Sequence, residues 1–284
     1  MRPWTAAGLL VVVLVDTVYA VRAARSEEGR DAKPTAATLR IVTLNVWGVP
    51  GAKDADARLA RLPAALKALD ADVLCLQEVW LKSWRTRIAQ ALAPTYVAAD
   101  AIGGGLVVLS RLPLRDASFT RFPELEGLSL VERLAAKGWL EVVATTPAGD
   151  VRIVTTHLAH RGPAEEQLAV LVESLRGRQA LPTLLAGDFN LAPDDDAIED
   201  LLASGWRAAC PVRTRADGSP DLGPYTRVGW PRVAGEPRRG WRPDHVFARG
   251  LEVVDHALAL DGVETALSDH NAVQVTLRLA RTPR

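Results

Sequence analysis

Among the 284 residues there are only two cysteines and five histidines, and none of them falls at zinc-finger spacing. Cys75 lies inside an apolar run and reads as a small buried side chain, while Cys210 has no partner nearby in sequence, so no disulfide framework is implied. Net charge is also missing: 34 Lys and Arg balance 34 Asp and Glu. That excludes a chain built to coat nucleic acid electrostatically, though not a local basic patch. No internal repeat recurs at solenoid spacing. The N-terminal apolar run, Thr5 to Val15, falls short of the roughly 20 residues a membrane span needs. Arg2 precedes this run, Asp16 breaks it, and Val18-Tyr19-Ala20 follows as a small-residue cleavage pattern. Residues 1–20 are therefore expected to be a signal peptide or, as the second reading, an N-terminal membrane anchor. Either makes the protein secreted or held at the cell envelope.

What is present describes a globular protein: 48% of residues are hydrophobic and 24% charged. Residues 21–37 are charged, alanine-rich and aperiodic, a linker before a folded domain over 38–284. Leu39 to Trp47 alternates and is rich in β-branched residues, so it is a strand, and the next strand is Asp72 to Val79. Helical spacing over 54–69 is interrupted by Pro63, which either kinks the helix or marks a late start. Further helices are expected at 81–92, 163–176 and 195–203, and strands at 106–110 and 272–277. Gly103-Gly104-Gly105 precedes a strand rather than joining strand to helix, so it reads as a hairpin or loop and not a phosphate cradle. Two strands surround Pro147 to Asp150 as a hairpin. Residues 207–242, rich in Arg, Pro and Gly, read as a long ordered loop. Mixed strands, hairpins and helices favour α/β architecture with two sheets packed together and flanked by helices.

Gly187-Asp188-Phe189-Asn190, after Leu184-Leu185-Ala186, reads as a buried strand that stops on an acid and an amide. Alone, this is explained by a turn or a helix cap. Other strands close in the same way, on Asn45, Glu78, His157, Asp244, and Asp269 with His270. Together they suit metal-assisted attack of water on a phosphate ester. Glu78 and the Asn45 amide are hard oxygen ligands for Mg²⁺, with Mn²⁺ or Ca²⁺ as alternatives. His270, polarised by Asp269, can take a proton from water near neutral pH. His157 and Asn190 can donate to phosphate oxygens, and Asp188 and Asp244 can orient water, histidine or metal.

These residues and their surroundings resemble the endonuclease/exonuclease/phosphatase superfamily, shared by pancreatic-type deoxyribonuclease, apurinic endonucleases, inositol-polyphosphate 5-phosphatases and neutral sphingomyelinases. The resemblance runs from about Leu39 to Leu277 through Leu44-Asn45-Val46-Trp47-Gly48, Leu76-Gln77-Glu78-Val79, Thr156-His157-Leu158, Gly187-Asp188-Phe189-Asn190, Pro243-Asp244-His245 and Ser268-Asp269-His270. It implies a four-layer α/β sandwich, two mixed β-sheets face to face, forming a single catalytic domain over 38–284. It implies Glu78 as the main metal ligand with Asn45 beside it. His157, Asp188, Asn190 and Asp244 would bind or polarise phosphate and water, with the Asp269–His270 pair as base. Asn45 to Pro50, Glu78-Val79-Trp80 and Lys137-Gly138 are similar to motifs of the neutral sphingomyelinase branch. Ala159-His160-Arg161 stands where that branch often has His-Ala-Glu, and no aromatic hairpin of the secreted haemolytic kind is present. The resemblance thus implies a monomeric Mg²⁺-dependent phosphodiesterase with a membrane phospholipid such as sphingomyelin as substrate. The alternative is another phosphatase of the same superfamily or a secreted endonuclease, for which the nine arginines of residues 207–249 with Trp230 and Trp241 could grip and stack nucleic acid. A catalytically silent binding relative should lack Glu78, His157 or His270, and all three are present.

Overall fold

Alternation decides how this chain layers. In adjacent pairs such as Ile41/Val42, Val73/Leu74, Ile153/Val154, Leu184/Leu185 and Val246/Phe247, the first residue packs between the two sheets. The second packs outward against helices, on one sheet or the other. Strands apolar on both faces are what a doubly covered sheet requires. The computed structural model describes residues 38–279, apart from 102, 161, 218, 230–240 and 263. The proposed signal peptide and linker, Trp230 and Arg161 lie outside the described residues.

The elements in order are β1 (Thr38–Asn45), α1 (Ala55–Ala68), β2 (Val73–Gln77), α2 (Lys82–Leu92), β3 (Val97–Asp100), β4 (Val107–Ser110) and β5 (Leu114–Arg121). Then come α3 (Leu130–Ala135), β6 (Gly138–Thr146), β7 (Gly149–His157), α4 (Ala164–Ser174), β8 (Thr183–Asp188) and α5 (Asp196–Ala203). The chain continues through β9 (Arg207–Ala208), β10 (Arg213–Thr214), β11 (Pro220–Asp221), β12 (Asp244–Arg249), β13 (Leu251–Ala259) and β14 (Ala272–Leu279). Two six-stranded sheets form, ordered β13-β14-β1-β2-β4-β3 and β5-β6-β7-β8-β12-β9. Each has one parallel pair near its middle, β1 with β2 and β7 with β8, among antiparallel neighbours. Leu59, Leu62, Leu66 and Ile88 of α1 and α2 cover the first sheet. Leu168, Leu171, Ile198 and Leu201 of α4 and α5 cover the second. The expected four-layer sandwich is the observed one.

Three local expectations are refined. Helix α1 starts at Ala55 and runs on through Pro63, so the proline marks no late start. The triple glycine lies between β3 and β4, which pair as an antiparallel hairpin. The loop expected over 207–242 contains the short strands β9, β10 and β11. Cys75 and Cys210 are both free thiols, and complete burial pushes Cys75 up to about 12.

Candidate active site

The polar residues singled out in the sequence gather at one edge of the sandwich. Asn45, His157 and Asp188 do close β1, β7 and β8, and Glu78 follows β2 directly. Asp244 instead opens β12, and Asp269 and His270 precede β14. They reach the same edge because β12 runs antiparallel to β8, and β14 antiparallel to β1. Asp244 stands opposite Asp188 in that register, and Asp188 opposite His157.

Asn45 is the link between the sheets. Its Nδ2 donates to Glu78 Oε1 at 2.8 Å and to Asp188 Oδ2 at 2.9 Å, while its Oδ1 accepts from the Trp47 N–H. In this geometry Asn45 aligns two carboxylates and turns its oxygen toward the backbone, whereas the sequence had suggested that oxygen as a metal ligand. Glu78 has a left-handed backbone, φ 60°. Its Oε2 is buried and has no hydrogen-bond partner. A buried, unpaired carboxylate oxygen is costly by itself and suits a hard divalent cation, which needs one or two carboxylates and completes its shell with water and substrate oxygens. Gly48 lets the β1 loop lie against this residue, since a Cβ there would come 2.2 Å from the Glu78 carbonyl oxygen.

His270 makes its short contact with Asp244, not with its sequence neighbour. Its Nδ1 lies 2.7 Å from Asp244 Oδ2, while Nε2 is 4.0 Å from Asp269 Oδ1 and 3.9 Å from Asp188 Oδ2. Burial disfavours its charge, but Asp244 first, then Asp188 and Asp269, outweigh that and raise it to about 9. His270 is thus an imidazolium at neutral pH, where the sequence expectation needed a free base. Asp188 is raised to about 7 by burial and then by the charge of Asp244, against the pull of His270 and Asn45. Asp188, Asp244 and His270 each place a ligand atom within 4.8 Å of the others. In that trio His270 is hydrogen-bonded to Asp244, while Asp188 lies 3.9 Å from its other ring nitrogen. Glu78 Oε2 and Asp244 Oδ1 are both buried there without a hydrogen-bond partner, and Glu78 is the carboxylate that lies outside the charged trio.

His157 behaves oppositely. Burial, then Lys137 and His270, hold it well below the usual histidine range, so the ring is neutral. Lys137 Nζ lies 3.1 Å from its Nε2 and also donates to the Leu158 carbonyl at 2.8 Å. An ammonium can only donate, so Nε2 accepts and the proton resides on Nδ1. That Nδ1 is buried without a partner, an N–H kept for something else. Lys137 is balanced by Glu132 of α3, 3.0 Å away.

Several other side chains hold the site in place. Arg58, 2% exposed, donates to the carbonyls of Lys53, Val46, Trp47 and Leu267 and stacks over Trp47, tying the β1 loop to the segment carrying His270. Ser268 Oγ donates to the Asn45 carbonyl at 2.7 Å. Asn190 Nδ2 donates to Leu158 O, and its Oδ1 meets His160 Nδ1 at 2.9 Å, so it fixes the loop after β7. Asp269 faces Arg227 at 3.7 Å. His245, beside Asp244, is a packing residue: it lies between Phe189 and Phe247, pairs with the Leu191 carbonyl, and burial lowers it to about 4.

Sequence reasoning omitted Lys137 and Glu132 from the site, although Lys137-Gly138 ahead of a strand was the available signal. The nuclease alternative drew on the arginines of 207–249 as a grip for nucleic acid. Among the described residues, Arg242 is buried against Cys210, Arg249 stacks on Trp206, and Arg215 and Arg227 pair with Asp221 and Asp269.

Over residues 42–270 the chain matches the endonuclease/exonuclease/phosphatase family. It is 27% identical to a putative neutral sphingomyelinase of Drosophila melanogaster, across 85% of this chain and 61% of that protein. It is 31% identical to human sphingomyelin phosphodiesterase 2, across 55% of this chain and 42% of that protein. The chain therefore spans about half the length of these curated relatives. An endonuclease/exonuclease/phosphatase from Bacteroides vulgatus superposes with a TM-score of 0.68 at 18% identity, covering 86% of this chain and 99% of that one. With its two mixed sheets and this match across most of its length, the chain belongs to the endonuclease/exonuclease/phosphatase family, whose members hydrolyse phosphoesters.

Proposed function

We propose that the protein is a divalent-cation-dependent phosphodiesterase that hydrolyses a phospholipid headgroup ester, with sphingomyelin as substrate and phosphocholine as product. The observation that carries this reading is the buried, unpaired Glu78 Oε2, which lies in a site where Asn45 bridges Glu78 to Asp188 beside a neutral His157 and a charged His270. Glu78 would hold the cation, Mg²⁺ by the chemistry of its oxygen, with Asn45 keeping that carboxylate in place. When bound, the cation supplies charge neutralisation at the phosphate oxygens.

The remaining roles belong to side chains. His157 Nδ1–H and the His270 imidazolium donate to non-bridging oxygens as negative charge grows on them. Asp188, raised to about 7 and bonded to Asn45, takes up the proton of the attacking water, because His270 already carries its own at neutral pH. Asp244 fixes His270, and Asn190 and Asp269 hold the loops around it. The likeness to sphingomyelinases and the Asn45 to Pro50, Glu78-Val79-Trp80 and Lys137-Gly138 motifs support the lipid substrate. The apolar run after Arg2 supports export or envelope anchoring of a monomeric enzyme.

The test is Mg²⁺-dependent release of phosphocholine from sphingomyelin vesicles beside plasmid nicking by the same preparation. Release without nicking is expected. Nicking without lipid turnover would replace this reading with the nuclease one.

A further inference from the structure

Helix α3 is built inside out. An amphipathic surface helix turns its apolar side to the core and its charges to water. None of the residues of α3 is buried. Leu130, Val131 and Leu134 are 67%, 76% and 62% exposed, more than any other large apolar side chain among the described residues. Glu132, by contrast, turns toward the protein. Glu132 binds Lys137 and accepts from the His160 backbone N–H. Arg133 reaches the Leu128 carbonyl and Glu124. Ser129 caps the first turn by accepting from Glu132 N–H. The helix is held by polar contacts, and its apolar residues are left outward without contributing to any core.

Its position adds the second observation. Through Glu132 and Lys137, α3 is two contacts from His157, so it stands at the rim of the candidate active site. Three other exposed apolar residues lie on loops at the same edge. Val49 follows Asn45, Leu81 follows Glu78, and Tyr225 precedes Thr226, whose Oγ1 accepts from the Asp244 N–H. Large apolar side chains exposed together on one helix beside a site mark an interaction surface. A surface that touches α3 and three separate loops around one mouth is extended and apolar just beneath its polar layer, as a lipid bilayer is. No helix among the described residues is long and apolar enough to cross a membrane.

Resting on the phospholipid reading above, we propose that Leu130, Val131 and Leu134 of α3 are the bilayer-contacting element, seating the active-site mouth on a zwitterionic membrane surface. The test compares the wild-type chain with Leu130→Ser/Val131→Ser/Leu134→Ser by flotation on phosphatidylcholine–sphingomyelin vesicles in chelator, and by hydrolysis of bis(p-nitrophenyl) phosphate with Mg²⁺. Because these side chains are unburied, the variant should keep its circular dichroism and its rate on the soluble diester. Its vesicle partitioning should fall by about tenfold or more. Unchanged partitioning of the variant would overturn the proposal. So would a wild-type chain that ignores vesicles but self-associates through α3, with the triple variant monomeric by light scattering. A wild-type chain that floats through α3 yet releases no phosphocholine would support the bilayer contact while removing sphingomyelin as substrate. One that hydrolyses vesicles equally fast with and without the three serines would overturn the contact and leave the substrate reading intact.

Discussion

Replacing Asp244 with Asn keeps the shape and a hydrogen-bond acceptor beside His270 but removes the charge. His270 is raised from 6.5 to about 9, with Asp244 the largest cause acting in that direction. The full displacement corresponds to about 3 kcal/mol in favour of the imidazolium. Without that charge the burial of the ring prevails, so an NMR titration of His270 should show its pKa falling by roughly one unit or more. Asp269→Asn should move it less, since that carboxylate is 4.0 Å away rather than 2.7 Å. The sign of the stability effect follows from the same shift. A raised folded-state pKa stabilises fully below about 6.5 and loses that contribution as pH rises through about 9. The gap in Tm between wild type and Asp244→Asn should therefore be widest at acid pH and close above about 9. Turnover at neutral pH should drop by about 10² to 10⁴. A His270 that still titrates near 9 in Asp244→Asn, or one that responds more to Asp269→Asn, would refute the assignment of its partner.

Two further substitutions probe the surroundings. Lys137→Met removes a positive charge that helps hold His157 neutral, so the His157 pKa should rise in an NMR titration. Activity should fall while the fold persists, and rescue by Lys137→Arg would be incomplete because a planar fork cannot replace a point charge. Gly48→Ala places a Cβ 2.2 Å from a backbone oxygen of Glu78, which should cost about 1–3 kcal/mol in denaturant unfolding and lower cation-dependent activity by displacing Glu78.

How far the sequence could be read depended on whether the interaction was local. Asn45, Glu78, His157 and Asp188 were legible because each sits at the carboxyl end of an apolar run, and a run announces its own end. Strand direction is not announced. Asp244, Asp269 and His270 looked like strand closures, yet they open strands that run back toward the same edge. The Asp269–His270 dipeptide invited pairing by adjacency, but Asp269 comes no nearer to the ring than 4.0 Å. His270 instead reaches Asp244, 26 residues away in sequence. Nothing in the sequence around Arg58 signals its role, since only the fold brings four carbonyls around it. Helix α3 escaped detection because its apolar residues have no core-facing periodicity to reveal.

The central claim is that Glu78 carries the cation on which turnover depends. Titration calorimetry with Mg²⁺ on the wild type, Glu78→Gln and Asp188→Asn, run beside phosphoester hydrolysis, tests it directly. The account predicts that Glu78→Gln keeps the fold, weakens cation binding by about tenfold or more and loses activity, because a neutral amide replaces a buried, unpaired carboxylate oxygen. Full Mg²⁺ binding by Glu78→Gln, with binding lost in Asp188→Asn, would place the cation in the Asp188–Asp244–His270 cluster and contradict it.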